Sequence, residues 1–438
     1  MTGNAKDNLK HLLIKGVSGA ACLSVINILL MLVVGMLLAR TLGPENYGVY
    51  AFVLSLITIL GLPANAGLPM LIVRETASNH LHQRWGMLSG LLRQANIFVI
   101  CLSFAVALLV FALLEFSIIT VQSDGASTLR WALVLLPFVA FGNIRGAALR
   151  GMSKAIQGQL PEQFVKPVSM ILMLSLFLFM GKELTAELAM QLNVVSAILA
   201  FLIGAWLLWT ILPPSVKRAR PAYSNGAWFR SLLPMSMVGG MRLLDSQVIV
   251  LLLGSLASID NVGLFKVATQ GAGLVSFGLV AVNLVLSPYV TRLFQEGKTS
   301  ELQHLATIGT RMAFGIAFPV ALILIVFGKT LINWVFGSEY TAASLPLTIL
   351  CLGQLINAAA GSVGMILNMA GYERETFKAI SVALPVSIIL TLVLVPPFGV
   401  TGAAIASSTS LVVWTLYMML SVQRYIGLKT FVFKSSLK

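Results

Sequence analysis

The sequence is poor in charged residues, and above all in acidic ones. Only 10% of its 438 residues are charged, with 15 Asp and Glu against 29 Lys and Arg, whereas 58% are hydrophobic. Soluble domains carry roughly a quarter charged residues, and apolar residues in such excess would have to coat a surface that water penalises. The mean hydropathy of +0.93 points the same way, so a soluble protein is excluded.

Residues that carry chemistry are equally scarce. The 3 cysteines lie singly inside apolar runs, and the 4 histidines lie in predicted loops without the ligand spacing of a zinc site. A Walker A loop needs a glycine five residues before Gly-Lys-Ser/Thr, which neither Gly297-Lys298-Thr299 nor Gly328-Lys329-Thr330 has. A nucleophile paired with a base is missing as well. We therefore expect no metal site, no cofactor and no enzymatic activity.

Long apolar runs fill most of the chain. Twelve stretches approach or exceed the roughly 20 residues that a helix needs to cross a bilayer, and runs this long without alternation exclude barrel strands. The predicted fold class is an all-α polytopic membrane protein with twelve transmembrane helices. The stretches are residues 14–38, 47–73, 86–114, 131–149, 164–180, 190–212, 231–256, 265–290, 310–328, 345–370, 379–395 and 402–422.

The distribution of Lys and Arg orients these spans. With an even number of spans both termini lie on one side, and 23 of the basic residues fall in loops on that side. Four, namely Arg40, Arg130, Lys182 and Lys329, fall on the other side. The positive-inside rule then predicts that both termini are cytoplasmic. The excess positive charge is thus a topology signal, and we expect no nucleic-acid partner.

The chain contains a weak internal repeat. A shift of 215 residues aligns Glu45–Tyr50 with Asp260–Phe265, and both copies share the pattern acid, Asn, apolar, Gly, apolar, aromatic. Each copy lies in the predicted outer turn between the first two helices of a six-helix set. We therefore predict two halves, residues 1–212 and 231–438, related by an axis along the membrane normal, with 213–230 as a basic cytoplasmic linker.

Two charged residues lie near the middle of the seventh predicted span. Arg242 and Asp245 are three residues apart and share a helix face. A charge at this depth costs roughly 2.5 to 3.5 kcal/mol on insertion scales and normally faces a partner or a watery cavity. Two interpretations stay open: a self-neutralising structural pair, or a cavity in which Arg242 binds substrate and Asp245 orients it or takes up protons.

Other polar features in the spans are less specific. Lys266 and Arg145 lie about one turn from predicted helix ends, where snorkelling is the default, although the neighbouring Asn143 favours a lumen for Arg145. The second span contains prolines and glycines at Pro63, Gly67 and Pro69. These residues predict a kinked or broken helix, which would be either a hinge or a structural kink.

Several motifs along the chain resemble the polysaccharide flippases of the Wzx type. Each motif alone is weak, but they occur in order and extend over nearly the whole chain. They are Ala39–Tyr50, Ala66–Pro69, Val73–Glu75, Leu149–Gly151, Gly158–Glu162, Val335–Tyr340 and Pro397–Ala406.

The resemblance implies a fold like that of the multidrug, oligosaccharidyl-lipid and polysaccharide exporters (MATE-like), with two six-helix bundles in a V around a central cavity. It implies a flippase that moves undecaprenyl-pyrophosphate-linked oligosaccharide, such as an O-antigen repeat unit of lipopolysaccharide, across the bacterial inner membrane by alternating access. The expected partners are the lipid-linked oligosaccharide and membrane lipids, with glycan polymerase and chain-length machinery as further candidates, and the functional form is a monomer.

The family's cavity is typically cationic, and Arg offers bidentate contacts to phosphate. The resemblance makes Arg242 the main substrate-binding candidate, helped by Arg40, Arg145 and Lys266. Many relatives have Asp where this chain has Asn65. Asp245 is therefore the remaining candidate for coupling transport to an ion, the alternative being downhill consumption of the product.

Two other functions remain open. A multidrug or cation antiporter of the same fold would favour an acidic cavity, and a membrane-embedded glycan polymerase or ligase would need a large outer loop with catalytic residues. The residues do not indicate which sugars are carried.

Overall fold

The structure is a computed structural model that describes residues 3–62, 67–115, 123–181 and 183–432. All regular elements in these ranges are helical, which confirms the all-α class. The helices of the amino-terminal part are α1 Gly3–Leu60, α2 Leu68–Leu81, α3 Trp85–Glu115, α4 Ser123–Gly151, α5 Ala155–Leu160, the π-helix π1 Pro161–Val165, α6 Lys166–Phe179, α7 Ala186–Ile211 and α8 Pro214–Arg218.

The carboxy-terminal part is helical as well. Its helices are α9 Asn225–Leu256, α10 Ile259–Gln295, α11 Thr299–Val335, a 3-10 helix Ser338–Ala343, α12 Ser344–Ala360, α13 Val363–Met369 and α14 Glu373–Tyr425.

Nine of the described helices are long and apolar enough to cross a membrane, or ten when a bent pair within α9 is counted as one span. Twelve spans were predicted, and α1 and α14 account for much of the difference because each overlaps two predicted stretches. A straight helix of the 53 residues of α14 would be about 80 Å long, whereas the hydrocarbon core is about 30 Å thick. The count of twelve stays a prediction.

A single glycine interrupts each of these two long helices. Gly43 has φ +69° in α1 and Gly399 has φ +53° in α14. Glycine adopts this left-handed region without the steric cost that a Cβ would add. Each of α1 and α14 thus consists of two helical segments joined at a kink, and the kink lies between the two predicted stretches.

The chain forms two compact units. The first comprises Met1–Leu42 and Val53–Leu243, and the second comprises Gly43–Phe52 and Leu244–Lys438. This division falls inside α9 and not in the predicted linker, and it assigns the short segment 43–52 to the second unit. The division into halves 1–212 and 231–438 stays a prediction.

Within the second unit the two copies of the repeat motif meet. A Cβ on Gly48 would overlap the carbonyl oxygen of Ile259, and a Cβ on Gly263 would overlap the carbonyl oxygen of Pro44. Residues 48 and 263, like 44 and 259, differ by the 215 residues of the sequence shift. The contact is therefore reciprocal, as in a two-fold symmetric interface, and both glycines are needed for the backbones to approach.

The predicted linker packs against α3 in the first unit. After α8 the chain is extended, and the Ala222 amide donates to the Gly86 carbonyl at 2.9 Å. Gly90, one turn later, leaves no room for a Cβ beside the carbonyl oxygen of Ala222. The glycine spacing on α3 thus fixes the basic segment to the helix bundle.

Among the described residues of the second predicted span, Gly61 and Gly67 are not helical. Helix α1 ends at Leu60 and α2 begins at Leu68. Pro63 lies outside the described residues, Gly67 is the N-cap of α2 and Pro69 lies in its first turn. A Cβ on Gly67 would overlap the backbone of Ser236. Whether the break acts as a hinge stays a prediction.

Candidate functional site

Arg145 is a half-buried cation of the first unit. Its guanidinium carbon lies 3.7 Å from the ring centroid of Phe201 in α7 and 5.5 Å from that of Phe141 in α4. Its Nη1 is buried and has no hydrogen-bond partner, and no described carboxylate forms an ion pair with it. The stacked guanidinium thus has an unused N–H donor that an anion could take.

Two glycines on another side of α4 allow close packing against α5 and π1. A Cβ on Gly142 would overlap Oε1 of Glu162, and a Cβ on Gly146 would lie 2.5 Å from the carbonyl oxygen of Gly158. Small residues four apart let membrane helices approach closely. Helix α4 is therefore fixed by π1 on one side and by the Phe201 stack on another, which positions Arg145.

Sequence reasoning missed the polar groups on π1 and the preceding turn. The predicted fifth span began at residue 164, but the apolar helix runs over Ala155–Phe179, so Glu162 lies inside it and is half-buried. The Gln159 Oε1 atom is buried without a hydrogen-bond partner. The Asn27 Nδ2 donates to the Gln163 carbonyl at 2.8 Å. Single-turn π-helices are frequent at functional sites, and the glycine spacing was the signal for this packing.

The residues predicted near the middle of the seventh span lie at a bend. Helix α9 bends by 45° between Trp228–Met241 and Leu243–Leu256, which places Arg242 at the bend. The side chain of Arg242 lies outside the described part of the structure. Asp245, three residues further on, is half-buried. The choice between a structural pair and a substrate cavity therefore stays open.

The remaining candidates lie apart along the chain. Arg40 is an exposed residue of α1 in the first unit, and Lys266 is a half-buried residue of α10 in the second. The Lys266 ammonium has no ion-pair partner among the described carboxylates. The structure thus gives Arg145 a defined environment, whereas the roles of Arg40, Lys266 and Arg242 stay predictions. Within the described ranges, no group of three or more His, Cys, Asp or Glu could hold a metal ion.

The sequence matches a known protein family. Residues 13–294 match the family described as "Polysaccharide biosynthesis protein". Because the match covers well over half of the chain, the protein belongs to this family.

Individual relatives are more distant. The chain is 22% identical over 216 residues to "Probable low-salt glycan biosynthesis flippase Agl15" of Haloferax volcanii, a match that covers 49% of this chain and 44% of that protein. The chain thus spans about half the length of the curated relatives it matches.

Solved structures share the fold at low identity. An inward-facing multidrug resistance transporter of the MATE family has a TM-score of 0.76 at 14% identity, covering 92% of this chain and 94% of that one. The lipid II flippase MurJ, in an inward closed conformation, has a TM-score of 0.74 at 14% identity, covering 92% and 87%. At this identity the likeness shows the fold alone. The chain is a multi-pass membrane protein with an all-helical fold similar to MATE and MurJ.

Proposed function

We propose that the protein is a flippase for lipid-linked glycans. Its family supports this proposal, as does the name of its relative from Haloferax volcanii. The structural observation that carries it is the guanidinium of Arg145, stacked on Phe201 with a buried, unpartnered Nη1. A cation that has no carboxylate partner among the described residues of a membrane bundle favours an anionic cargo over a cationic one.

The proposed cargo is an undecaprenyl-pyrophosphate-linked oligosaccharide, such as an O-antigen repeat unit, in the bacterial inner membrane. The flat guanidinium of Arg145 can offer parallel N–H groups to two phosphate oxygens while its face rests on Phe201. Arg242, Arg40 and Lys266 would add further positive charge along the path. The lipid tail would stay in the bilayer while the headgroup crosses by alternating access.

The other roles follow from the same proposal. Asp245 would carry the coupling ion if transport is ion-driven, and the break at Pro63, Gly67 and Pro69 would act as a hinge. Both termini would be cytoplasmic, the functional form would be a monomer, and glycan polymerase or chain-length machinery would receive the product.

Deletion of the gene followed by lipid extraction tests this function. We expect a lipid-linked oligosaccharide to accumulate, because its synthesis continues while its translocation stops. Re-expression of the intact chain should clear it. Altered drug susceptibility without any accumulated lipid would instead favour the multidrug antiporter of the same fold.

Arg242→Ala tests the main substrate-binding candidate. We expect it to abolish surface glycan, because the loss of one cation from the path leaves phosphate charge uncompensated in the membrane. Surface glycan by immunoblot and the amount of protein in membranes are the two measurements. Arg230→Ala, which removes an exposed arginine from the same helix, is the matched control and should leave glycan unchanged. Normal glycan in Arg242→Ala would remove Arg242 from the mechanism.

A further inference from the structure

The tenth predicted span, residues 345–370, is interrupted in its second half. Helix α12 ends at Ala360 and α13 begins at Val363. Gly361 lies between them with φ +78°, in a region that glycine adopts without the steric cost of a Cβ. A Cβ on Gly361 would overlap the hydroxyl group of Thr310 in α11. The break is therefore packed directly against that helix.

The break changes the hydrogen-bond donor of one helical carbonyl. In a continuous α-helix the Ala359 carbonyl would accept from the amide of Val363, four residues further on. In the structure the Val363 amide donates to the Gly361 carbonyl at 2.9 Å. The Ala359 carbonyl accepts instead from the amide of Val432 at 3.0 Å. Val432, beyond the end of α14, thus takes the place that Val363 would have in a continuous helix.

Residues 427–432, which follow α14, form a strap against α11. The side-chain amide of Gln303 donates to the Lys429 carbonyl at 2.7 Å, and its oxygen accepts from the Lys429 amide at 2.8 Å. Leu428 is buried in an apolar cluster that it shares with α13. Gln303 and Thr310 are seven residues apart and so lie on one face of α11. That face therefore holds both the strap and the break.

The strapped arrangement leaves two hydroxyl groups unsatisfied. The Oγ of Ser362, in the break, and the Oγ1 of Thr430, in the strap, are buried without a hydrogen-bond partner among the described residues. A buried polar group without a partner is costly. In a continuous helix the Ser362 hydroxyl could donate to a carbonyl three or four residues back, and release of the strap would free Thr430. The unsatisfied hydroxyls therefore offset part of what the hydrogen bonds of the strap contribute.

We propose that residues 427–432 are a releasable strap that switches the tenth predicted span between a broken and a continuous helix. While the strap is bound, the Val432 amide holds the Ala359 carbonyl and the span is broken at Gly361. When the strap leaves, the Val363 amide takes that carbonyl and α12 joins α13. A binding event that favours one arrangement at the end of α14 would shift the population of the other. This inference does not depend on the proposed flippase function.

The distance between spin labels on α12 and α13 tests the switch. With Cys22, Cys101 and Cys351 replaced, labels at Leu352→Cys and Met369→Cys lie on either side of the break, at exposed positions. A continuous helix would separate the two positions by about 26 Å along its axis, whereas the broken span gives a different separation. Double electron–electron resonance on the purified full-length protein measures the fraction of each form.

Removal of the contacts of the strap should raise the fraction of continuous helix. Gln303→Leu loses both bonds to Lys429 and should increase the ratio of continuous to broken helix about tenfold. Val432→Pro, which has no amide hydrogen, should increase it about fivefold. Thr307→Val is the matched control for Gln303→Leu, because it removes only the hydrogen bonds between Thr307 and Gln303. Val432→Ala keeps the amide, and neither control should change the ratio.

Ser362→Ala should act in the opposite direction, because it removes a hydroxyl that the broken form leaves unsatisfied. Added to Gln303→Leu, it should restore part of the broken population, whereas general loosening of the fold would shift both variants the same way. Unchanged distances in Gln303→Leu, or no recovery in the double variant, would overturn the proposal. If Val432→Pro does not fold, these two variants still decide.

Discussion

The role of a single residue in this bundle depends on the neighbouring side chains that orient it. Arg145 is an example, because the Phe201 ring limits its guanidinium to a plane while its Nη1 remains unused. A lysine at this position would keep the charge but would lose both the flat stack and the forked donors. The geometry of the cation, and not its charge alone, should therefore decide how well an anionic headgroup is held.

Arg145→Ala should reduce glycan translocation by about tenfold or more, since a charge-assisted hydrogen bond contributes about 1.5–3 kcal/mol. Arg145→Lys and Phe201→Leu should lie between Arg145→Ala and the unaltered protein. Flipping of lipid-linked oligosaccharide in proteoliposomes measures this. Arg93→Ala, which removes an exposed arginine of α3, should be neutral. Equal rates for Arg145→Ala and the unaltered protein would show that the residue has only a packing role.

Gly142→Ala should destabilise the first unit, because the new Cβ would overlap the Glu162 carboxylate. Overpacking of this kind costs about 1–3 kcal/mol, and thermal unfolding in detergent measures it. Adding Glu162→Ala to Gly142→Ala should recover part of the lost stability by making room for the Cβ. Purely additive losses in the double variant would show that the two residues do not compete for the same space.

At the scale of helices, the two boundaries that hydropathy predicts inside α1 and α14 each coincide with one glycine. The sequence predicts a boundary near residue 43 and another near residue 399, and a single glycine with positive φ turns the backbone at each place. Hydropathy detects apolar length and not backbone dihedrals, so it located the two boundaries but not the single glycine at which the backbone turns. For the same reason it placed Glu162 outside the fifth span, although a half-buried carboxylate beside Gly142 does not interrupt the helix.

Gly48→Ala and Gly263→Ala should both destabilise the second unit by about 1–3 kcal/mol, since each Cβ would meet a backbone carbonyl that cannot rotate away. The free energy of unfolding in denaturant measures the loss. Gly315→Ala is the control on α11, where nothing lies within 4 Å of the added Cβ, and it should be neutral or slightly stabilising. A loss at Gly315 as large as at Gly48 would contradict the explanation by close approach.

At the scale of the whole molecule, the composition of the chain predicted the fold class, whereas individual residues did not predict the contacts of the charged side chains. The shortage of charge predicted an all-helical membrane protein, and the structure confirms this class. The shift of 215 residues aligned Gly48 with Gly263 as equivalent positions of the two repeats. In the structure the segments that contain them contact each other reciprocally. Sequence could not predict which cation would stack on an aromatic ring, because Arg145 contacts Phe201 of another helix.

Topology is the property of the whole chain that can be measured most directly. With Cys22, Cys101 and Cys351 replaced, Ser338→Cys should react with a membrane-impermeant maleimide in intact cells, because it lies in a predicted outer loop. Ser215→Cys, in the predicted cytoplasmic linker, should react only after permeabilisation. Both positions are exposed, so accessibility within the protein is matched. Labelling of both from the same side would contradict the twelve-span arrangement.

The reciprocal contact at Gly48 and Gly263 has a consequence for the origin of the chain. A reciprocal contact uses the same patch twice, so a six-helix protein with one copy of the motif would carry a surface complementary to itself. Such an ancestor could form a two-fold homodimer through this patch, and fusion of two genes would then preserve the interface within one chain. Each of the two glycines should accordingly be retained among descendants, since a Cβ on either one would meet a backbone carbonyl of the other copy.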